Sequence, residues 1–119
     1  RRQRQMCIRD RYQAMATELG MSALVEAHDE REVEMALRAE ASIIGVNNRN
    51  LKTFTVDINN SARYRKMVPK EVAFVSESGI KTAEDIAKLL ENGTDAVLIG
   101  ETLMRSENKK QALDELRGI

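Results

Sequence analysis

Residues 42–47 read SIIGVN, a short and almost continuous apolar run. Such a run is typical of a strand that is buried on both faces of a parallel sheet. Three other segments share this character: SALVEA at 22–27, VAFVS at 72–76 and AVLI at 96–99. Segments with apolar residues at helical spacing separate them, beginning at residues 12–19. The order αβαβαβαβα predicts an α/β fold in which four parallel strands are flanked by helices.

Capping residues and glycines predict where the helices begin and end. Asp29 begins the second helix, and Glu32 at the third position completes a capping-box-like pair. Thr82 begins a later helix that runs through Glu91 and stops at Gly93. The last helix is expected to begin near residue 106. The residues expected to face inward from these three helices are Val33, Ala36, Leu37, Ala83, Ile86, Leu89, Leu90, Ala112, Leu113 and Leu116.

Polar residues and a glycine lie at the carboxyl ends of the four predicted strands. They are Glu26, Asn47, Glu77 and Gly100. Periodicity alone does not choose between a flavodoxin-like open sheet and part of a barrel. In parallel α/β folds the loops at this end converge on one mouth, where functional groups collect. We therefore place the candidate site at this edge of the sheet.

Two glutamates are candidates for proton transfer. Glu26 lies within the apolar run ALVEA, where desolvation of a carboxylate is costly unless the group is paired or used. A desolvated glutamate suits proton transfer near neutral pH. Glu77 lies between Ser76 and Ser78. For both glutamates the structural alternative is a strand-end carboxylate that pairs with a lysine or caps a neighbouring helix.

Two glycine turns and one polar loop could bind anions. Ser78-Gly79 and Gly100-Glu101 each join a strand to a helical segment, where backbone N–H groups can approach a phosphate. Tight turns explain such glycines equally well. In the run NNRN at 47–50, Arg49 offers a planar fork for a carboxylate or phosphate. The alternative is a solvated loop with internal Asx turns.

Two further residues with reactive side chains receive no catalytic role. His28 is interpreted as a loop residue or as one that supports the site from behind. Cys7 has no visible activating neighbours.

Four segments together resemble the indole-3-glycerol phosphate synthase family, whose fold is a (β/α)8 TIM barrel. They are LVEAHDE (Leu24–Glu30), GVNNRNLKTF (Gly45–Phe54), VSESGI (Val75–Ile80) and VLIGETLMR (Val97–Arg105). Their order and spacing are similar to those of the fifth to eighth barrel strands, so the implied fold is the C-terminal half of the barrel. NNRNL discriminates best, because sister phosphate-binding barrels share the glycine turns but not this loop.

The resemblance implies a role for each matching residue. Glu26 matches a catalytic glutamate that transfers protons in ring closure and dehydration. Asn47 matches an asparagine that holds the substrate in reactive geometry. Glu77 matches a glutamate that contacts substrate and stabilises charged intermediates. Arg49 matches a substrate-binding arginine near the substrate carboxylate. The remaining matches are Ser78 in substrate binding and Gly79, Gly100 and Glu101 in phosphate binding.

The implied reaction converts 1-(2-carboxyphenylamino)-1-deoxyribulose 5-phosphate to indole-3-glycerol phosphate, with release of CO2 and water, in tryptophan biosynthesis. The enzyme is a carbon–carbon lyase, and its small-molecule partner is this phosphorylated substrate. No metal or organic cofactor is implied. Two alternatives remain: a non-catalytic half-barrel that binds phosphate, and a sister barrel similar to phosphoribosyl-anthranilate isomerase, which the NNRNL segment disfavours.

The family's first four strands have no counterpart here, and with them go two lysines and a glutamate of its active site. We therefore expect residues 12–119 to be a half-barrel that is inactive by itself, with open sheet edges that promote self-association. Residues 1–11 carry five arginines and one aspartate in place of an apolar strand, which suggests a non-native leader.

Composition narrows the remaining function classes. No apolar run approaches the roughly 18 residues of a membrane span, so no membrane partner is expected. One cysteine cannot form an internal disulfide, which favours the cytoplasm. The arginine-rich start could contact nucleic acid, but it contains no aromatic residue for stacking and has no second basic patch. We therefore expect no nucleic-acid partner.

Overall fold

The computed structural model describes residues 11–49, 53 and 55–118. Helix α1 covers residues 11–18. The remaining elements in chain order are β1 (Leu24–Ala27), α2 (Glu30–Arg38), β2 (Ile43–Asn47), α3 (Asn59–Arg65), β3 (Ala73–Glu77), α4 (Ala83–Glu91), β4 (Ala96–Leu98), α5 (Glu101–Arg105) and α6 (Lys109–Arg117). The predicted alternation of helices and strands is confirmed, and the expected leader at 1–11 lies almost wholly outside the described residues.

The four strands form one parallel sheet in the order β1-β2-β3-β4. Each strand therefore pairs with the next strand along the chain, and β1 and β4 are the two edges. Side chains alternate between the two faces of a strand. In register, Glu26 lies beside Gly45 on β2, and Asn47 lies beside Glu77 on β3. These four residues consequently share one face of the sheet.

The opposite face carries the hydrophobic core. Its central side chains are completely inaccessible to solvent and come from β1, β2, β3 and α2; they are Ala27, Ile44, Val46, Phe74, Val33 and Ala36. By contrast, Leu24 and Leu98 on the site-bearing face are 45% and 52% exposed. Among the described elements, the helices therefore cover one side of the sheet and leave the other accessible.

Local hydrogen bonds fix the helix starts largely as predicted. The side chain of Asp29 accepts from the Glu32 backbone N–H at 2.8 Å. Glu32, however, accepts from the backbone N–H of His28 rather than that of Asp29, so the pair is not a complete capping box. Thr82 and Asp85 do form a complete box at the start of α4.

Three expectations about the helices are wrong. Leu90 is 73% exposed and Leu113 is 44% exposed, although both were expected to be buried. The last helix begins after Asn108 rather than near residue 106, because the Asn108 side chain accepts from the Gln111 N–H. The short helix α5 occupies residues 101–105 in front of it.

No helix among the described residues is long and apolar enough to cross a membrane.

Candidate active site

Three adjacent strands bring Glu26, Asn47 and Glu77 together at the carboxyl edge of the sheet. The Asn47 Nδ2 group donates to Glu26 Oε1 at 3.2 Å. The same side chain accepts at Oδ1 from the Arg49 backbone N–H at 2.9 Å. This second contact is the Asx turn of the structural alternative, and it also fixes the amide so that its N–H group faces Glu26.

Glu77 reaches over the neighbouring strand because that strand has a glycine there. A Cβ atom at Gly45 would overlap the Oε2 atom of Glu77. The carboxylate can therefore lie flat against β2, where the residue is only 6% exposed. Gly45 thus makes room for an acidic side chain that the sequence analysis did not connect with it.

Glu77 is the titrating member of the site. Burial raises the pKa of Glu77 to about 7, helped by the charge of Glu26 and by a hydrogen bond with it, while His28 acts in the opposite direction. Among the described residues, the buried Oε2 atom of Glu77 has no hydrogen-bond partner. A protonated Glu77 carboxyl can donate toward the neighbouring Glu26, whereas two ionised carboxylates would repel one another.

Glu26 is less buried than its sequence context suggested. Its side chain is 44% exposed, because β1 is an edge strand and its site-bearing face is uncovered. The structural alternative for Glu26 was a pairing with a lysine. In the structure its neighbour is His28 instead, whose Nε2 atom lies 3.7 Å from Glu26 Oε2. The expectation of a desolvated Glu26 is wrong, and Glu77 takes that position.

His28 supports the site from behind, in keeping with the sequence interpretation. Its Nδ1 atom lies 3.1 Å from Glu32 Oε1, which also accepts from the His28 backbone N–H at 3.2 Å. The imidazole is thereby fixed between two carboxylates. Nε2 remains directed at Glu26, so the ring orientation is coupled to the position of that side chain.

Arg49 already holds an anionic partner. Its Nη2 atom lies 3.1 Å from Glu101 Oε2, and the other Glu101 oxygen lies 2.9 Å from Arg105 Nη2. The carboxylate of Glu101 would repel a phosphate, so only the backbone at this position suits phosphate binding. Arg49 presents a guanidinium at the site edge whose present partner is a surface-exposed side chain.

The two glycine turns lie next to each other. Thr102 Oγ1 donates to the Ile80 carbonyl at 2.9 Å and ties the start of α5 to the loop after β3. Ser78 and Gly79 both have positive φ, at 71° and 80°. A side chain at Gly79 would overlap Val56 Cγ1, so this turn requires glycine. Gly100, by contrast, has open space around it.

The comparisons with known proteins identify the family. A family model described as indole-3-glycerol phosphate synthase matches residues 7–116. The chain belongs to the indole-3-glycerol phosphate synthase family. The resemblance and the fold expected from it, four parallel strands with flanking helices that form half of a TIM barrel, are confirmed.

Individual relatives agree with this assignment. The indole-3-glycerol phosphate synthase of Ruminiclostridium cellulolyticum is 60% identical over 107 residues, covering 90% of this chain and 41% of the relative. That of Leuconostoc mesenteroides is 52% identical with the same coverage. The chain therefore spans about two fifths of the length of these synthases.

Two solved structures share the fold at low sequence identity. The crystal structure of an Amycolatopsis orientalis BexX/CysO complex is similar with a TM-score of 0.67 and 18% identity, covering 87% of this chain and 43% of that chain. A native KDPGal structure is similar with a TM-score of 0.62 and 17% identity, covering 87% of this chain and 53% of that chain. At this identity the likeness concerns the fold alone.

Sequence reasoning missed two residues that shape the site, Gly45 and Asn48. Gly45 could have been found from its alternation with Asn47, which places both on one strand face. Asn48 is 1% exposed, and its burial was not evident from the polar run in which it occurs. A fully buried asparagine has to satisfy its amide within the protein, which is the signal that the structure adds.

Proposed function

We propose that this half-barrel supplies the proton-transfer side of an indole-3-glycerol phosphate synthase active site. The reaction closes the indole ring of 1-(2-carboxyphenylamino)-1-deoxyribulose 5-phosphate and releases CO2 and water. In this assignment Glu26, Asn47 and Glu77 are catalytic. Arg49 and Ser78 bind the substrate, and the backbone at Gly79, Gly100 and Glu101 binds its phosphate.

The observation that carries the proposal is the carboxylate pair Glu26–Glu77. With the pKa of Glu77 raised to about 7, the pair holds one proton and one negative charge near neutral pH. The charged member stabilises the cationic intermediate that forms when the ring closes, and it accepts a proton during dehydration. The 3.2 Å bond from Asn47 keeps Glu26 in place for that transfer.

Arg49 is the group that we assign to the substrate carboxylate. An incoming carboxylate would replace Glu101 on the guanidinium, and Glu101 would keep its second partner, Arg105. Because the Arg49–Glu101 ion pair is exposed, it is weak and can be exchanged for one with the substrate. Arg49 therefore contributes mainly to ground-state binding.

The cellular setting that fits this chemistry is the cytoplasm, where a phosphorylated biosynthetic intermediate is available. The single cysteine of the chain needs no oxidising compartment. Fractionation of cells that carry the natural protein would test this location.

A complete barrel provides the direct test of the synthase activity. It joins the segment of the R. cellulolyticum synthase that precedes its matched region to residues 12–119, and we call it the barrel chimaera. We expect it to form indole-3-glycerol phosphate, detected by indole fluorescence, and to lose turnover in the double variant Glu26→Gln/Glu77→Gln. Glu34→Gln, an exposed carboxylate on α2, is the matched control. A folded chimaera without turnover would overturn the proposal.

A further inference from the structure

Asn48 follows β2 directly, between the site residues Asn47 and Arg49, but its side chain points into the protein. Its Oδ1 atom accepts from the hydroxyl of Ser61 on α3 at 2.9 Å. Its Nδ2 group donates to Ser76 Oγ at 2.9 Å and to the Ser78 carbonyl at 3.0 Å. The residue also donates its backbone N–H to the Glu77 carbonyl at 2.8 Å. Asn48 thus contacts three consecutive residues at the end of β3.

The hydrogens of this cluster can be placed by counting donors. Ser61 has a single hydroxyl hydrogen, which it gives to Asn48 Oδ1. The 2.7 Å contact between the two hydroxyls must therefore be a donation from Ser76 to Ser61. Ser76 in turn accepts from one amide hydrogen of Asn48. The ring is closed, and the second amide hydrogen goes to the Ser78 carbonyl. The reverse amide orientation would place two oxygens against each other.

The bond from Asn48 sets the direction of the next peptide group. Ser78 has φ 71°, a left-handed conformation that is unfavourable for a residue with a side chain. The peptide between Ser78 and Gly79 is trans, so its carbonyl and its N–H point in opposite directions. The carbonyl points inward to Asn48. The Gly79 N–H therefore points away from Asn48.

We propose that Asn48 is a positioning residue that orients the Ser78–Gly79 peptide so that the Gly79 N–H faces the substrate phosphate. The proposal rests on the proposed function, which assigns Gly79 to phosphate binding. Asn48 itself touches no substrate. Its effect reaches the phosphate through one peptide plane, which the 3.0 Å bond from the Asn48 Nδ2 group to the Ser78 carbonyl holds in place.

The test compares two ways of breaking the same cluster in the barrel chimaera. Asn48→Asp keeps the size of the side chain but removes both amide hydrogens, and Asn48→Ala serves if the buried charge prevents folding. Ser61→Ala is the matched control, because it opens the ring of hydrogen bonds and leaves the Asn48–Ser78 contact in place. The readouts are the NMR shift of the Gly79 amide during titration with inorganic phosphate, and the KM and kcat of the synthase reaction.

We expect the Gly79 amide of the parent to shift saturably with phosphate. The Asn48 variants should bind phosphate about tenfold more weakly and raise KM to a similar extent, since one hydrogen bond to an anion is lost, whereas kcat stays nearly unchanged. Ser61→Ala should bind like the parent despite a lower stability. An equal loss in Ser61→Ala, or parent-like affinity in the Asn48 variants, would overturn the inference.

Further outcomes separate this inference from the proposed function. Turnover by the parent without a phosphate response at Gly79 sinks the role of Asn48 and leaves the synthase assignment intact. A phosphate response at Gly79 without turnover supports the role of Asn48 and overturns the synthase assignment. A strong NOE between the Gly79 amide hydrogen and the side-chain amide hydrogens of Asn48 in the parent would overturn the inference even if neither Asn48 variant folds.

Discussion

At the scale of single residues, Glu77 and Gly45 form a functional pair across two strands. The glycine leaves the space that the carboxyl group fills, and the resulting enclosure favours the protonated form of Glu77. Any side chain at position 45 would push Glu77 toward solvent and away from this state. The chemistry of the acid thus depends on a residue with no functional group.

The raised pKa of Glu77 predicts how stability depends on pH. Between pH 4.5 and about 7, folded Glu77 keeps a proton that the unfolded chain releases. The stabilisation is therefore complete below pH 4.5 and is lost as the pH rises through 7. We compare the free energy of unfolding of the barrel chimaera with that of its Glu77→Gln variant. The difference should fall by about 2 kcal/mol across this window. This value is reduced because Glu26 is exposed to solvent. Urea unfolding below pH 4.5 and above pH 7 measures it; a difference that does not change with pH would contradict it.

Two substitutions separate proton transfer from binding. In the barrel chimaera, Glu26→Gln should mainly lower kcat, by about 10²-fold or more, because it removes a proton-transfer group. Arg49→Ala should mainly raise KM, because it removes ground-state binding to an anion. Steady-state kinetics of the two variants check this. Near-parent kinetics for Glu26→Gln would remove Glu26 from the mechanism.

At the scale of elements, local signals predicted where helices begin better than which residues they bury. Asp29 and Thr82 cap α2 and α4 as the sequence indicated. Leu90 was predicted to face inward together with Leu89. Successive residues turn by 100°, however, and α4 is oriented by Leu89, which is 1% exposed. The exposure of Glu26 was unpredictable for a similar reason, since it depends on β1 being an edge.

The capping box of α4 makes a defined contribution to stability. Thr82 accepts from the Asp85 N–H at 3.2 Å, and the Asp85 carboxylate accepts from the N–H groups of Thr82 and Lys81. We expect Thr82→Ala to lower the free energy of unfolding of the barrel chimaera by about 1 kcal/mol, and Thr82→Ser to preserve most of it. Equal losses in the two variants, measured by urea unfolding, would show that the methyl group rather than the hydroxyl matters.

At the scale of the whole molecule, one face of the sheet lacks a covering layer among the described residues. Its apolar side chains include Leu24 and Leu98, each about half exposed. The edges β1 and β4 add unpaired backbone groups, and neither contains a lysine or proline to discourage pairing. Two such surfaces can cover one another.

We therefore predict that residues 12–119 alone self-associate and do not turn over the substrate. Association hides the apolar face. The acid that activates the carbonyl in a complete barrel has no counterpart among the candidate residues, and its absence lowers the turnover rate by about 10²–10⁴-fold. Sedimentation at micromolar concentration and a turnover assay are the measurements. A monodisperse monomer, or turnover like that of a typical enzyme, would refute this.

The sequential order of the strands has a consequence for how the chain folds. Residues paired across neighbouring strands, such as Leu24 with Ile43 or Val75 with Ala96, lie only about 20 to 30 positions apart along the polypeptide. Closing a connection of this length costs less entropy than pairing strands from distant parts of a chain. On a ribosome, each new strand would find its neighbour already exposed outside the exit tunnel. Glu26, Asn47 and Glu77 would therefore come together as their three strands emerge one after another.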